Sequence, residues 1–219
     1  AYLYESILQC LDAFHEKGSF NLRIDRQIRN ARTLYARGLA EQALKLFMKV
    51  EALAWNQQEF VRCQTIYWYL RTLLAMNTET HSSDLTIGQV MERNLKAAKE
   101  IELMARLRFV QHQFQSTVAT AGSVSKELLE SLKELLDSAT MQDVNEKSGF
   151  FARLTASHIW SQYYLLTNDS EAGLKQGRVV FDLCFDNRVL LRERGRLMIA
   201  SANNYLMRCT RARDFSEME

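Results

Sequence analysis

The sequence predicts an all-α protein, on three observations. None of its 219 residues is proline, where average usage near 5% would place roughly ten. Proline removes a backbone donor and clashes with the preceding helical turn, so its absence suits long helices joined by short connections. Apolar residues recur at steps of three and four nearly throughout, the spacing that lines one face of a helix. Alternation with period two persists nowhere beyond a few residues, so no strand is expected.

Taken in order, Leu3, Ile7, Leu11 and Phe14 mark a first helix with Gly18 as its stop. Ile24, Ile28, Ala31 and Tyr35 mark a second, stopping at Gly38, and Ala40, Ala43, Phe47, Val50 and Ala54 a third. Glycine stops are expected because the residue after a helix often takes the left-handed conformation. A fourth helix runs from about Gln57 to Met76 and is dense in aromatics: Phe60, Tyr67, Trp68, Tyr69. The polar segment 77–84 (NTETHSSD) is a loop. A fifth helix carries Gly88, Met91, Leu95 and Ala98, and a sixth runs from about Leu103 to Ala119. Ala121, Gly122 and Ser123 break the pattern. Ser125 then caps an amphipathic seventh helix bearing Leu128, Leu129, Leu132, Leu135 and Leu136. Residues 141–149 connect to an aromatic-rich eighth helix over 151–166. Asn168, Asp169 and Ser170 form a turn and cap for a ninth, ending near Asp186 and Asn187. Leu191, Gly195, Met198, Ala202, Tyr205 and Cys209 mark the last. That makes about ten helices, with neighbours antiparallel because connections are short. No stretch has a flexible linker's composition, so 1–219 reads as one continuous domain.

Composition narrows the function classes. Hydrophobic residues at 47% and charged residues at 25% are ordinary for a globular chain. A net charge of +2 is too small to argue for direct nucleic-acid contact or an acidic membrane surface. No apolar run approaches the roughly 18 residues of a membrane span. Cys10, Cys63, Cys184 and Cys209 are widely separated, without C-x-x-C or zinc spacing. They read as reduced thiols packed in helices, which suggests a reducing, cytoplasmic setting. The chain starts at Ala1 without methionine and shows no signal peptide; it reads as part of a longer protein.

The run LYARGLAEQALKLFMKV, residues 34–50, resembles the central part of the tetratricopeptide repeat. In that family one helix ends at a glycine-type turn, and the next offers a small residue at the helix crossing, then an aromatic, then another small residue. Gly38, Ala43, Phe47 and Val50 match those positions. Two helices approach closely only where a side chain at the crossing is small. A second match, LLTNDSEAGLKQG at 165–177, places Asn168 at the turn and Gly173 at the crossing, with Gly177 where the aromatic belongs. A third, CTRARDFSEME at 209–219, has Asp214 and Phe215 in place. Second helices would start near Ala40, Asp84, Val124, Asp169 and Asp214, at steps of 44, 40, 45 and 45 residues. The standard tetratricopeptide period is about 34 and other helical solenoids run at about 40–47. The terminal proline of each family repeat is missing. The resemblance implies a right-handed superhelix of antiparallel hairpins, with first helices lining a concave groove that receives a peptide or a partner's helix.

In that register Asp25, Arg29 and Arg32 would face the groove, and later first helices would contribute Gln113, Thr117, His158, Gln162 and Asn203. Arg26, Arg29 and Arg37 lie opposite the Ile24/Ile28 face, as a solvated surface or as an acceptor for an acidic peptide or phosphate. His15, His81, His112 and His158 show no i, i+3 or i+4 pairing, so no metal is expected. Glu127 and Glu130 sit beside Lys126 and Lys133 on a charged, solvent-facing helix surface. There is no glycine-rich phosphate loop and no nucleophile elbow. In the clusters Tyr67, Trp68, Tyr69 and Trp160, Tyr163, Tyr164, adjacent residues point different ways, leaving room for one exposed aromatic in each. The expected function is a protein–protein interaction scaffold without enzymatic activity or cofactor. The alternatives are a peptide-sensing domain of a larger regulator and, more distantly, RNA binding by helical repeats.

Overall fold

The computed structural model describes residues 19–76 and 85–212. The expected first helix with its Gly18 stop, the 77–84 loop, and the third repeat match with Asp214 and Phe215 lie outside the described residues. The described residues hold helices and turns and no strand. In chain order the helices are α1 (Phe20–Ala36), α2 (Ala40–Asn56), α3 (Phe60–Met76), α4 (Ile87–Thr120), α5 (Lys126–Leu136), α6 (Ala139–Gln142), α7 (Phe150–Leu166), α8 (Ser170–Asp186) and α9 (Gly195–Ala212). The chain divides into two compact units, Ala1–Lys99 and Glu100–Glu219, with the division falling inside α4.

In the first unit α1 packs on α2 and α2 on α3. Ile24, Ile28 and Ala31 of α1 meet Ala43, Phe47, Val50 and Ala54 of α2 and Cys63, Ile66, Tyr67 and Leu70 of α3 in one core. Ala31 and Ala43 are fully buried, and their missing side chains are what let adjacent helices approach. Phe47 stacks on Tyr69 with ring centroids 4.8 Å apart.

Two left-handed residues set the hairpins of this unit. Gly38 has φ +75°; its N–H donates to Tyr35 O at 3.0 Å and the Leu39 N–H to Leu34 O at 3.0 Å, the paired bonds of a Schellman stop. The next stop repeats this with glutamine: Gln58 has φ +56°, and Gln58 and Glu59 N–H groups donate to Trp55 O and Ala54 O, both at 2.9 Å. The fourth helix therefore begins at Phe60 rather than near Gln57.

A buried polar group ties α2 to α3 and α4. Glu51, 6% exposed, accepts from Tyr67 Oη at 2.7 Å and from Arg93 Nη1 at 3.3 Å. Burial, with Glu51 and Glu59 nearby, pushes the Cys63 thiol up to about 12, so it stays protonated and unreactive.

The second unit takes the C-terminal part of α4. Leu107, Val110 and Phe114 pack with Leu128, Leu132 and Leu136 of α5 and with Ala152, Ala156 and Ile159 of α7. Ser125 caps α5, its Oγ accepting from Leu128 N at 3.2 Å. Glu100 Oε2 accepts from Gly149 N at 3.0 Å and pins the start of α7 to α4. A second cluster joins Phe150 and Leu154 of α7 to Val180 and Cys184 of α8 and to Leu191. Beyond it α7 packs on α8 and α8 on α9.

Three further expectations need correction. The fifth and sixth helices are one helix of 34 residues, α4. Nothing between Ala98 and Leu103 breaks a helix, and the pairs Glu92–Lys96 and Glu102–Arg106 bridge successive turns on either side. Residues 141–149 are not all connection, since α6 runs to Gln142 and buries Met141. Leu191 precedes the last helix: it is buried in a run of tight turns at 187–194, and α9 begins at Gly195.

Candidate functional site

The site grows from a pair of glycines one helical turn apart. Gly173 and Gly177 are buried on α8, and Arg208 of α9 lies across them. A Cβ at Gly173 would stand 2.8 Å from Arg208 Nη1, and one at Gly177 2.5 Å from Arg208 Cδ. Gly177 occupies the position where the repeat resemblance expects an aromatic, and the crossing arginine takes up the space a ring would need. Arg208 is only 7% exposed. Its Nη1 donates to Gly173 O at 3.1 Å, and its Nη2 donates to Ser161 O at 2.8 Å and to Ser161 Oγ.

Every one of those acceptors is uncharged. No carboxylate pairs with Arg208 or Arg211 among the described residues. Burial, and then Arg211, push the Arg208 guanidinium down from its ordinary value, yet arginine keeps its proton in proteins. Among the described residues, the hydrogen bonds that hold this buried positive charge all end on neutral dipoles.

Arg208 forms the floor of a cleft between α7 and α9 of about 240 Å³. One wall is His158, Ser161, Gln162 and Leu165 of α7; the other is Asn204, Met207, Arg208 and Arg211 of α9. A narrower recess continues from it past Tyr164 to the α8 start, where Asn168 has φ +56°. There Asp169 caps α8, accepting from Ala172 N at 2.9 Å. Leu165 and Met207 are 45% and 58% exposed, giving the cleft an apolar rim. His158 Nε2 is buried and has no hydrogen-bond partner among the described residues. Burial first, and Arg208 second, hold this imidazole below its ordinary value, so it is neutral at pH 7.

The residues expected to face a groove separate by unit. Asp25, Arg29 and Arg32 lie on α1 in the first unit. Asp25 is engaged by Arg62 of α3 through two bonds of 2.7 and 2.8 Å, while Arg62 also donates to Glu59 at 2.6 Å. The Arg62 hydrogen bonds hold the Asp25 carboxyl below its ordinary value, with Arg29 adding to the effect. Arg32 lies over the Tyr69 ring at 5.8 Å. In the second unit Gln113 and Thr117 line an open, hydroxyl-rich hollow with His112, Ser116, Ser131, Glu134, Leu135 and Ser138. His158 and Gln162 line the α7/α9 cleft; Asn203 is exposed on α9, and its neighbour Asn204 is the residue that lines it.

Arg208, Arg211 and Ser161 were not singled out from the sequence. The signal was present in the Gly173/Gly177 spacing, since two glycines four apart on a helix open a groove for another chain segment. Nothing in the sequence said that the segment would be an arginine 31 residues after Gly177. Of the aromatic clusters, Tyr67 is buried and Trp68 is 51% exposed, while Trp160, Tyr163 and Tyr164 are all half-buried. Cys63, Cys184 and Cys209 are buried free thiols. Among the described residues no group of three or more His, Cys, Asp or Glu could hold a metal ion, and no helix is long and apolar enough to cross a membrane.

The chain matches no family model, no curated protein and no solved structure.

Proposed function

We propose that this chain is a tetratricopeptide-like helical-repeat module that binds an extended peptide segment of a partner protein, and that the α7/α9 cleft is where the peptide lies. The observation that carries this reading is the convergence of His158 and Gln162 of α7 with Asn204 and Arg211 of α9 on one cleft rimmed by exposed Leu165 and Met207. In the repeat register both are first helices, those that line a groove in the family. Gln162 and Asn204 each donate and accept, so together they can pair with a peptide's N–H and C=O groups. Leu165 and Met207 offer apolar contact for a side chain, and methionine adapts its shape to what it meets. The cleft floor is held by the Arg208 bonds to Gly173 and Ser161, so binding costs little reordering. Buried thiols at Cys63, Cys184 and Cys209 suit a cytoplasmic setting, where they stay reduced.

The test is peptide display against the full chain, followed by the double substitution Gln162→Ala/Asn204→Ala. Losing two net hydrogen bonds should weaken selected peptides roughly tenfold or more, with thermal stability unchanged because neither side chain belongs to the core. Selected peptides that bind the double variant as tightly as the parent would place the binding surface elsewhere.

A further inference from the structure

We propose that the α7/α9 cleft is an oxyanion site, and that the peptide it takes carries a carboxylate or phosphate on an internal side chain, held by Arg211 and by N–H groups of Arg208 and His158. The peptide part rests on the function proposed above; the anion part stands on the cleft's own chemistry.

Arg208 is 7% exposed and its three hydrogen bonds end on a carbonyl of Gly173, a carbonyl of Ser161 and a hydroxyl. A buried guanidinium is ordinarily matched by a carboxylate, because neutral dipoles leave its net charge uncompensated in a low-dielectric setting. Here the second charged group on the cleft is another cation, Arg211, which raises the local positive potential. Among the described residues no acid lines the cleft: its walls are imidazole, hydroxyl, two carboxamides, two apolar side chains and two guanidiniums. Asp169 lines the adjoining recess, which Arg208 and Arg211 also line; its Oδ1 is taken by the α8 cap, and it makes no ion pair with either arginine. His158 Nε2 adds a buried ring nitrogen with no partner among the described residues, and as the N–H tautomer it is a donor awaiting an acceptor. The Arg211 guanidinium is a fork whose geometry matches carboxylate and phosphate oxygens, and Arg208, with three of its five N–H groups engaged, has two left to add. Everything the cleft lacks is supplied by a bound oxyanion: negative charge, acceptor oxygens, and a partner for His158.

The experiment uses the full chain and reads the Arg208 Nε–Hε resonance and the His158 ring by NMR. The probes are inorganic phosphate and three capped tripeptides with Glu, phosphoserine or Gln between alanines. The expected result is that at least one anionic peptide, and phosphate where phosphoserine binds, moves both resonances and raises the pH at which His158 titrates. A response to Glu alone supports the site as a carboxylate reader, and one to phosphoserine and phosphate supports it as a phosphate reader. Arg211→Gln should weaken that response about tenfold without changing thermal stability, and Arg211→Lys should restore part of it. Silence of both resonances with every anion, or an undiminished response in Arg211→Gln, overturns the proposal. Equal binding of the Gln peptide overturns anion selection and leaves the peptide reading standing. Phosphate binding with no response to any peptide overturns the peptide-borne anion, and with it that reading for this cleft.

Discussion

Among the described residues, Gln58 is the one whose backbone conformation is least suited to its side chain. The left-handed region costs a residue with a Cβ about 1–2 kcal/mol, and at the equivalent stop Gly38 avoids that cost. Gln58→Gly should therefore raise the melting temperature by a few degrees, net of glycine's greater freedom in the unfolded chain. Gly38→Ala, forced into φ +75°, should lower stability by about 1 kcal/mol. Chemical denaturation of the two variants checks both signs at once, and the same sign for both would refute the strain argument. At the same scale, Arg208 shows why residues around a buried charge are constrained. Its path over α8 demands glycine at 173 and 177, and its donors demand the Gly173 and Ser161 carbonyls.

Among elements, the hairpin of α1 and α2 was the most legible. Its apolar spacing, its glycine stop and its small crossing residues all agree, and Ala31, Ala43 and Phe47 are fully buried as that agreement requires. Ala43→Leu should overpack the crossing and cost about 1–3 kcal/mol. A thermal melt unchanged by that substitution would refute the close crossing at Ala43. Helix α4 was the least legible element. Its apolar residues pack in two different cores, Val90 and Ala97 in the first unit and Leu107, Val110 and Phe114 in the second. A helix that changes the face it buries partway along reads in sequence as two helices, because periodicity detects the stripe and not the backbone that carries it.

For the whole molecule, the two units differ in their titrating groups, and this predicts different responses to acid. In the first, Asp25 is held below its ordinary value of 3.8 by Arg62. A depressed carboxyl contributes stability that is present above that ordinary value and lost as pH falls through the folded one. In the second, burial and Arg208 hold His158 below 6.5, so its contribution is present above 6.5 and drains away as pH falls beneath it. Amide exchange at pH 7.5 and pH 5 should therefore show α7 and α9 losing protection while α1 and α3 keep theirs, and His158→Gln should remove the difference. Equal loss in both units, or loss that persists in His158→Gln, would refute it. The sequence by itself determined that the described residues are helical and where several helices break and start: the Gly38, Gly122 and Asn168 breaks and the Ser125 and Asp169 caps depend on local stereochemistry and spacing, which neighbouring residues settle among themselves. It also marked His158 and Gln162 as residues of one helix face. Only the tertiary structure decided that α4 is continuous, that Asp25 is engaged by Arg62, and that Arg208 crosses Gly173 and Gly177 to floor a cleft lined, among the described residues, by no acid. Those outcomes turn on which distant side chains share a space, and burial and electrostatic pairing are properties of that space rather than of the local chain.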